Sequence, residues 1–164
     1  MKFSRSLKLI FSLFPFLWIS CATEPSYREQ GMGIAVWDLE DLSPMEHLGP
    51  DMGEILSTQV IETVKKKGIY NVVERERLLI ALEELRLGTE SFVDESTRMR
   101  LGQMVGVRLM IFGAYQVIED KMRLDLRLVE VETGRIIRTA RKVTSSTQPE
   151  SWLEAAEEAA GELL

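Results

Sequence analysis

The second half of the chain carries a hydrophobic pattern with a period of two, which constrains the fold more than any other feature. Apolar residues alternate with polar ones over Val107–Val117 and Met122–Leu128, and a third run extends over Arg135–Thr144. Such alternation is typical of strands that bury one face. Tight turns at Glu119-Asp120 and Thr133-Gly134 separate the three runs. The sequence therefore predicts a three-stranded meander.

In the first half, the spacing of apolar residues changes to three and four. This spacing predicts helices over Asp51–Lys67, Glu74–Leu87 and Glu95–Val105. Short apolar runs at Met32–Leu39 and Ile69–Val73 predict two buried strands between them. The predicted apolar face of the first helix consists of Met52, Ile55, Leu56, Val60 and Val64.

A final helix follows the meander. Thr147, with Glu150 three residues later, resembles a capping box, and apolar residues from Trp152 to Leu163 give the helix a buried side. The predicted order of elements is β-α-β-α-α-β-β-β-α. This order indicates an α/β (α+β) fold in which a mixed sheet packs against helices. Trp37 and Trp152 are expected to be core residues.

The amino terminus has the pattern of a targeting segment. Three basic residues and no acidic residue occur before Cys21, and the apolar run Leu9–Ile19 is too short to cross a bilayer as a helix. We interpret residues 1–20 as a signal peptide. The polar segment 21–30, with Pro25, is expected to be a flexible tether, and residues 31–164 a single domain.

The single cysteine lies where this apolar run ends. Ser20-Cys21 resembles a bacterial lipoprotein cleavage site, which implies a diacylglycerol and acyl lipid on the Cys21 thiol and anchoring at a membrane. Ala22, in place of aspartate, favours the periplasmic face of the outer membrane by the same resemblance. Two alternatives stay open: an ordinary thiol at Cys21, and an apolar segment retained as an anchor.

Charge argues against a nucleic-acid partner. The chain has 20 basic and 26 acidic residues. Without Lys2, Arg5 and Lys8, the net charge becomes −9. Because affinity for nucleic acid comes largely from clustered lysine and arginine, we expect no such partner.

Few residues in the sequence have the pattern of an active site. His47 is the only imidazole and has no cysteine or second histidine beside it, so we expect no metal site. No glycine-rich loop ends in Gly-Lys-Ser/Thr, and no serine has flanking glycines in a nucleophile elbow. We therefore expect a protein that is not an enzyme and has no cofactor other than the lipid.

Charged residues on the predicted strands have two interpretations. Arg123, Asp125 and Arg127 share one face of a strand, and the next strand carries several basic residues that acids such as Glu130 can pair with. We favour a solvated sheet face over a ligand site. The segment after the first strand is the candidate partner-binding loop, through Asp38, Glu40, Asp41, Pro44 and His47.

Several short motifs occur in an order that resembles CsgG, the curli-secretion channel lipoprotein, and its relatives. The resemblance covers residues 33–144, about two thirds of the chain. Its pieces are Gly33-Ile34-Ala35-Val36, Leu48-Gly49-Pro50, Tyr70-Asn71-Val72-Val73-Glu74-Arg75, Leu101-Gly102, Val105-Gly106-Val107, Ile111-Phe112-Gly113, Leu126 to Gly134, and Ile136-Ile137.

The resemblance implies a periplasmic domain like the amino-terminal domain of TolB, also found in flagellar (FlgO-like) and LpoB-like lipoproteins. It implies a non-catalytic binding or assembly role with envelope proteins, in curli-type secretion or elsewhere in the envelope. Two alternatives remain: a homo-oligomeric secretion-channel subunit and a lipoprotein activator of a peptidoglycan synthase. Because the meander is needed for the domain's own sheet, no hairpin is left over for the membrane, and we expect no pore.

Overall fold

The computed structural model describes residues 31–44, 51–84, 94–146 and 148–164, which form a mixed sheet flanked by helices. The predicted fold class is confirmed, with one short strand added to the predicted order. The elements are β1 (Met32–Val36), β2 (Glu40–Asp41), α1 (Met52–Lys67), β3 (Tyr70–Val72), α2 (Arg75–Glu84), α3 (Glu95–Met104), β4 (Leu109–Ile118), β5 (Lys121–Glu130), β6 (Ile136–Thr144) and α4 (Pro149–Leu163).

The sheet has a parallel part and an antiparallel part. Its strand order is β3-β1-β4-β5-β6, and β2 pairs with the second half of β4. β1 runs parallel to β3 and β4, whereas β4, β5 and β6 form the predicted antiparallel meander. The turns lie where the sequence places them, and Gly134 has a positive φ of 71° that suits glycine.

Helices cover one face of the sheet more completely than the other. α1 and α4 pack on the first face, where Leu56, Val60 and Val64 of α1 are fully buried against the sheet. α2 and α3 cover only part of the second face. Their core includes Trp37 and Phe112, so this smaller layer lies over β1 and the first half of β4.

Three details differ from the sequence-based expectations. The segment predicted as a loop contains β2, because the Leu42 N–H donates to the Tyr115 carbonyl and holds the chain along β4. The helix α4 has Gln148 as its N-cap without a side-chain hydrogen bond, and Pro149 fits the first helical position. Thr147 of the predicted capping box lies outside the described residues. Ile55, expected in the core, is exposed.

The remaining boundaries agree within two residues, apart from the first strand, which ends at Val36. Residues 85–87 of the predicted second helix lie outside the described residues. Both tryptophans are buried, as expected, and the Trp152 indole N–H donates to the Ser146 carbonyl at 2.6 Å. In the part of the chain that the structure describes, no helix has the length and apolar character that a membrane crossing requires.

Candidate functional site: an open sheet face

The part of the second sheet face that α2 and α3 leave uncovered is the main candidate site. Every second residue of each strand has its side chain on this face. The registers of β2, β4, β5 and β6 place residues of these four strands next to one another there. We call this surface the open face. It consists of Glu40, Leu42, Phe112, Ala114, Gln116, Ile118, Lys121, Arg123, Asp125, Arg127, Thr139, Arg141 and Val143, with Glu95 and Arg98 of α3 at its border.

The open face contains a groove of about 630 Å³. Ala114, which has only a methyl side chain, lies in its lining together with Gly113 and Phe112. Glu40 and Arg98 form one wall. On the other side, the groove is lined by arginine and threonine side chains of β5 and β6: Arg127, Thr139 and Arg141.

Two arginines at the border of the groove lie on aromatic rings. The Arg98 guanidinium carbon is 5.5 Å from the Trp37 ring centroid, and that of Arg127 is 5.8 Å from the Phe112 centroid. Both distances are typical of cation–π contacts. Arg98 also pairs with Glu40, and Arg127 donates to Glu95 at 2.8 Å. These contacts fix the direction of both guanidinium groups.

A second pair of arginines shares one carboxylate. The Arg123 Nε and the Arg141 Nε donate to opposite oxygens of Asp125 at 2.6 and 2.5 Å. Partial burial of Asp125 opposes its ionisation, but the hydrogen bonds from the two arginines outweigh this effect and hold the pKa of Asp125 below its ordinary value. At neutral pH, this group of three side chains therefore has a net charge of +1.

Apolar side chains border the same surface. Leu42, Ile118 and Val143 are 57%, 51% and 61% exposed. They come from β4, β6 and the segment just after β2. Because large apolar side chains grouped at one surface are typical of interaction sites, the open face has both the charge and the apolar area for binding.

The residues of the predicted partner-binding loop do not act as one surface. Asp38 is half-buried and receives hydrogen bonds from Arg75, at 2.6 Å from Nη2, and from the Ser57 hydroxyl. Asp41 accepts from the Tyr115 hydroxyl at 2.9 Å, and burial together with this bond raises the pKa of Tyr115. These two carboxylates hold elements of the domain together.

The other residues of that loop have different surroundings. Glu40 belongs to the open face, and Pro44 is exposed. His47 and the motif Leu48-Gly49-Pro50 lie outside the described residues. Cys21 also lies outside the described residues, and its lipidation stays a prediction. The role of the loop residues in binding also stays a prediction.

We expect Asp38→Asn to lower the free energy of unfolding by about 1–2 kcal/mol, because the half-buried Arg75 guanidinium loses its ion pair with the Asp38 carboxylate. Urea denaturation monitored by circular dichroism measures this change. Glu83→Gln, at an exposed position on α2, removes the same charge and should change stability by less than about 0.5 kcal/mol. Equal losses in both variants would contradict a structural role for Asp38.

The sequence-based interpretation of the charged strands is partly confirmed. Arg135 pairs with Glu130 at 3.5 Å, as expected for neighbouring strands. Lys142, however, lies on the opposite face of the sheet from Arg141 and pairs with Glu158 and Glu162 of α4. The basic residues of β6 are therefore divided between the two faces.

Sequence reasoning missed the contributions of Leu42 and Arg98 to the open face. Glu40 and Arg98 are 58 residues apart in the chain. The alternation in β4 and β5 indicated which residues share a face, but no local signal shows where a helix layer ends. The described residues contain no group of three or more histidine, cysteine or acidic side chains arranged to hold a metal ion.

Several solved structures have a similar fold. The LpoB C-terminal domain from Salmonella enterica superposes with a TM-score of 0.59 at 18% identity, covering 70% of this chain and 83% of that domain. A PelC dodecamer subunit from Paraburkholderia phytofirmans has a TM-score of 0.52 at 13% identity, with coverages of 85% and 91%. Lipoprotein GNA1162 from Neisseria meningitidis has a TM-score of 0.53 at 14% identity, with coverages of 68% and 78%.

These likenesses confirm the fold. No curated protein sequence matches the chain. A family profile does match: the one described as curli production assembly/transport component CsgG aligns with residues 19–117. The aligned segment contains the motifs of the resemblance from Gly33 to Gly113, whereas the motifs from Leu126 onward lie outside it. Because the aligned segment exceeds half of the chain, the protein belongs to the CsgG family.

Proposed function

We propose that this protein is a lipoprotein anchored through Cys21 at the periplasmic face of the outer membrane. In this role its domain binds other envelope proteins and supports their assembly or secretion without catalysing a reaction. The lipid confines the domain to the membrane surface, which raises its concentration near a membrane-bound partner. Residues 21–30 then set the distance that the domain can reach.

The observation that carries this proposal is the position of the family match. It begins at residue 19, so the matched segment includes Ser20 and Cys21. The family is described as an assembly and transport component, and a structural neighbour is named a lipoprotein. The open face, with its paired charges and exposed apolar side chains, supports a binding role.

The anchoring is tested with Cys21→Ser in the full chain. We expect the protein to move from the outer-membrane fraction to the soluble periplasm, with loss of incorporated radiolabelled palmitate, because serine has no thiol to accept the lipid. Ser20→Ala is the matched control: it keeps a small residue before the cysteine and should leave both readouts unchanged.

A further variant tests the choice of membrane. Ala22→Asp should move the labelled protein from the outer to the inner membrane if this position directs sorting. Cys21→Ser protein that remains in the outer membrane would contradict lipid anchoring. Labelled Ala22→Asp protein that stays in the outer membrane would contradict the sorting role alone.

The PelC neighbour supports a second candidate, a homo-oligomer that works as a multi-subunit assembly. That protein is a dodecamer in its solved structure, and it has the same fold. Light scattering of the full-length protein in mild detergent measures the mass. A mass of many subunits supports this candidate, whereas a monomer contradicts it and leaves the single tethered domain.

A further inference from the structure

We propose that the open face binds a partner protein through a segment in which carboxylate side chains flank apolar ones. This inference names the chemistry of the partner and therefore rests on the proposed binding role. The anchoring experiment changes residues near Cys21 and leaves the open face intact, so the two proposals can fail separately.

The open face differs in the sign of its charge from the protein as a whole. The open face and its border carry five basic and three acidic side chains, a net charge of +2. The chain as a whole has a net charge of −6. Across the sheet, α1 and α4 together carry seven glutamates and three lysines, a net charge of −4. The open face is thus basic although the protein as a whole is acidic, and it favours an acidic partner.

The Arg123–Asp125–Arg141 group has more hydrogen-bond donors than its own carboxylate uses. Asp125 is one acceptor for two guanidinium groups, and Arg141 uses only its Nε to reach it. Among the described residues, no acceptor is bonded to the terminal nitrogens of Arg141, whose side chain is largely exposed. A guanidinium in this state can donate two parallel hydrogen bonds to an incoming carboxylate.

Exposed apolar side chains border this group of charges. Val143 lies directly opposite Arg123 in the register of β5 and β6, and Gln116 lies opposite Arg123 on the other side. Leu42 and Ile118 lie at the same end of the face. A bound carboxylate therefore has exposed apolar side chains near it, so apolar neighbours in the partner segment gain buried area on binding. A free inorganic anion has no apolar area to bury there.

Two other arginines of the open face and its border are held in place by their contacts. The guanidinium groups of Arg98 and Arg127 lie on aromatic rings and pair with Glu40 and Glu95, and all of the residues involved except Trp37 belong to regular helices or strands. A surface whose side chains are already held in place loses less conformational entropy on binding. The small side chain of Ala114 leaves room in the groove for a partner side chain.

The test uses the full-length protein in mild detergent and a fluorescein-labelled peptide in which Glu-Leu-Glu triplets are joined by Gly-Ser. Fluorescence anisotropy measures binding. Two matched peptides replace each glutamate by lysine or each leucine by serine. We expect the Glu-Leu peptide to bind about tenfold more tightly than either of the two matched peptides. Its affinity should fall as salt is added.

The protein variant is the double substitution R123Q and R141Q, which keeps polar side chains and removes two charges. It should weaken binding of the Glu-Leu peptide about tenfold. The control K66Q and K67Q makes the same change of charge on α1, across the sheet from the open face, and should leave binding unchanged. Circular dichroism checks that each variant is folded, and Val143→Ser tests the apolar contribution if the arginine variant unfolds.

Three outcomes would overturn the proposal. Equal binding of the glutamate and lysine peptides would exclude charge recognition, and equal weakening by both double variants would exclude the open face as the site. The third outcome is self-association of the protein that the R123Q and R141Q double variant abolishes and with which the Glu-Leu peptide does not compete. That result would assign the face to a second copy of this chain.

Discussion

Replacing Phe112 by alanine is expected to lower the free energy of unfolding by about 3–5 kcal/mol. The side chain is only 1% exposed and belongs to the core between the second sheet face and the helices α2 and α3. Its removal leaves a cavity in a layer that is small to begin with, and it takes away the ring on which Arg127 lies. Urea denaturation followed by circular dichroism measures the loss.

The control for this substitution lies on the same strand. Ile118 has a side chain on the same sheet face as Phe112 but beyond the helix layer, where it is 51% exposed. We expect Ile118→Ala to change stability by less than about 0.5 kcal/mol. Similar losses at both positions would mean that α2 and α3 do not end where the structure places them.

Gly53→Ala is expected to lower the free energy of unfolding by about 3 kcal/mol, at the upper end of what overpacking costs. Gly53 is buried in the first turn of α1, and a Cβ atom there would lie 2.2 Å from the Leu39 carbonyl oxygen. That oxygen belongs to the backbone between β1 and β2, so the clash cannot be relieved by rotating a side chain. Chemical denaturation again gives the value.

The same substitution at another helical glycine provides the comparison. Gly161 lies in α4, where a Cβ atom would meet nothing within 4 Å. Because alanine favours helix formation, Gly161→Ala should stabilise the protein by about 0.5–1 kcal/mol. Opposite signs for the two variants would confirm the close approach at Gly53, and a stabilised Gly53→Ala protein would contradict it.

Much of the fold is predictable because the hydrophobic period is a local property. The change from a period of three and four to a period of two separates the helical half from the meander, and the turns at Glu119-Asp120 and Thr133-Gly134 fix where the strands end. The strand β2 has no such signal: its two residues are both acidic. It is a strand because the neighbouring backbone of β4 offers hydrogen bonds to it.

The acidic residues after the first strand show the same limit for the site. Their composition suggested one exposed loop, yet Asp38 binds Arg75, Asp41 binds Tyr115 and only Glu40 reaches the open face. Each partner lies tens of residues away in the chain. A carboxylate looks the same in sequence whether it stabilises the domain or faces a partner, because the difference depends on what packs against it.

The sequence by itself determined the types of the elements other than β2, their order along the chain, and the resemblance that the CsgG match confirms. These follow from periodicity, turn residues and short motifs, which are read along the chain. Only the tertiary structure decided which part of the sheet stays uncovered and which charges meet there. The ends of α2 and α3 and the registers of four strands set that surface, and these depend on contacts between residues far apart in the chain.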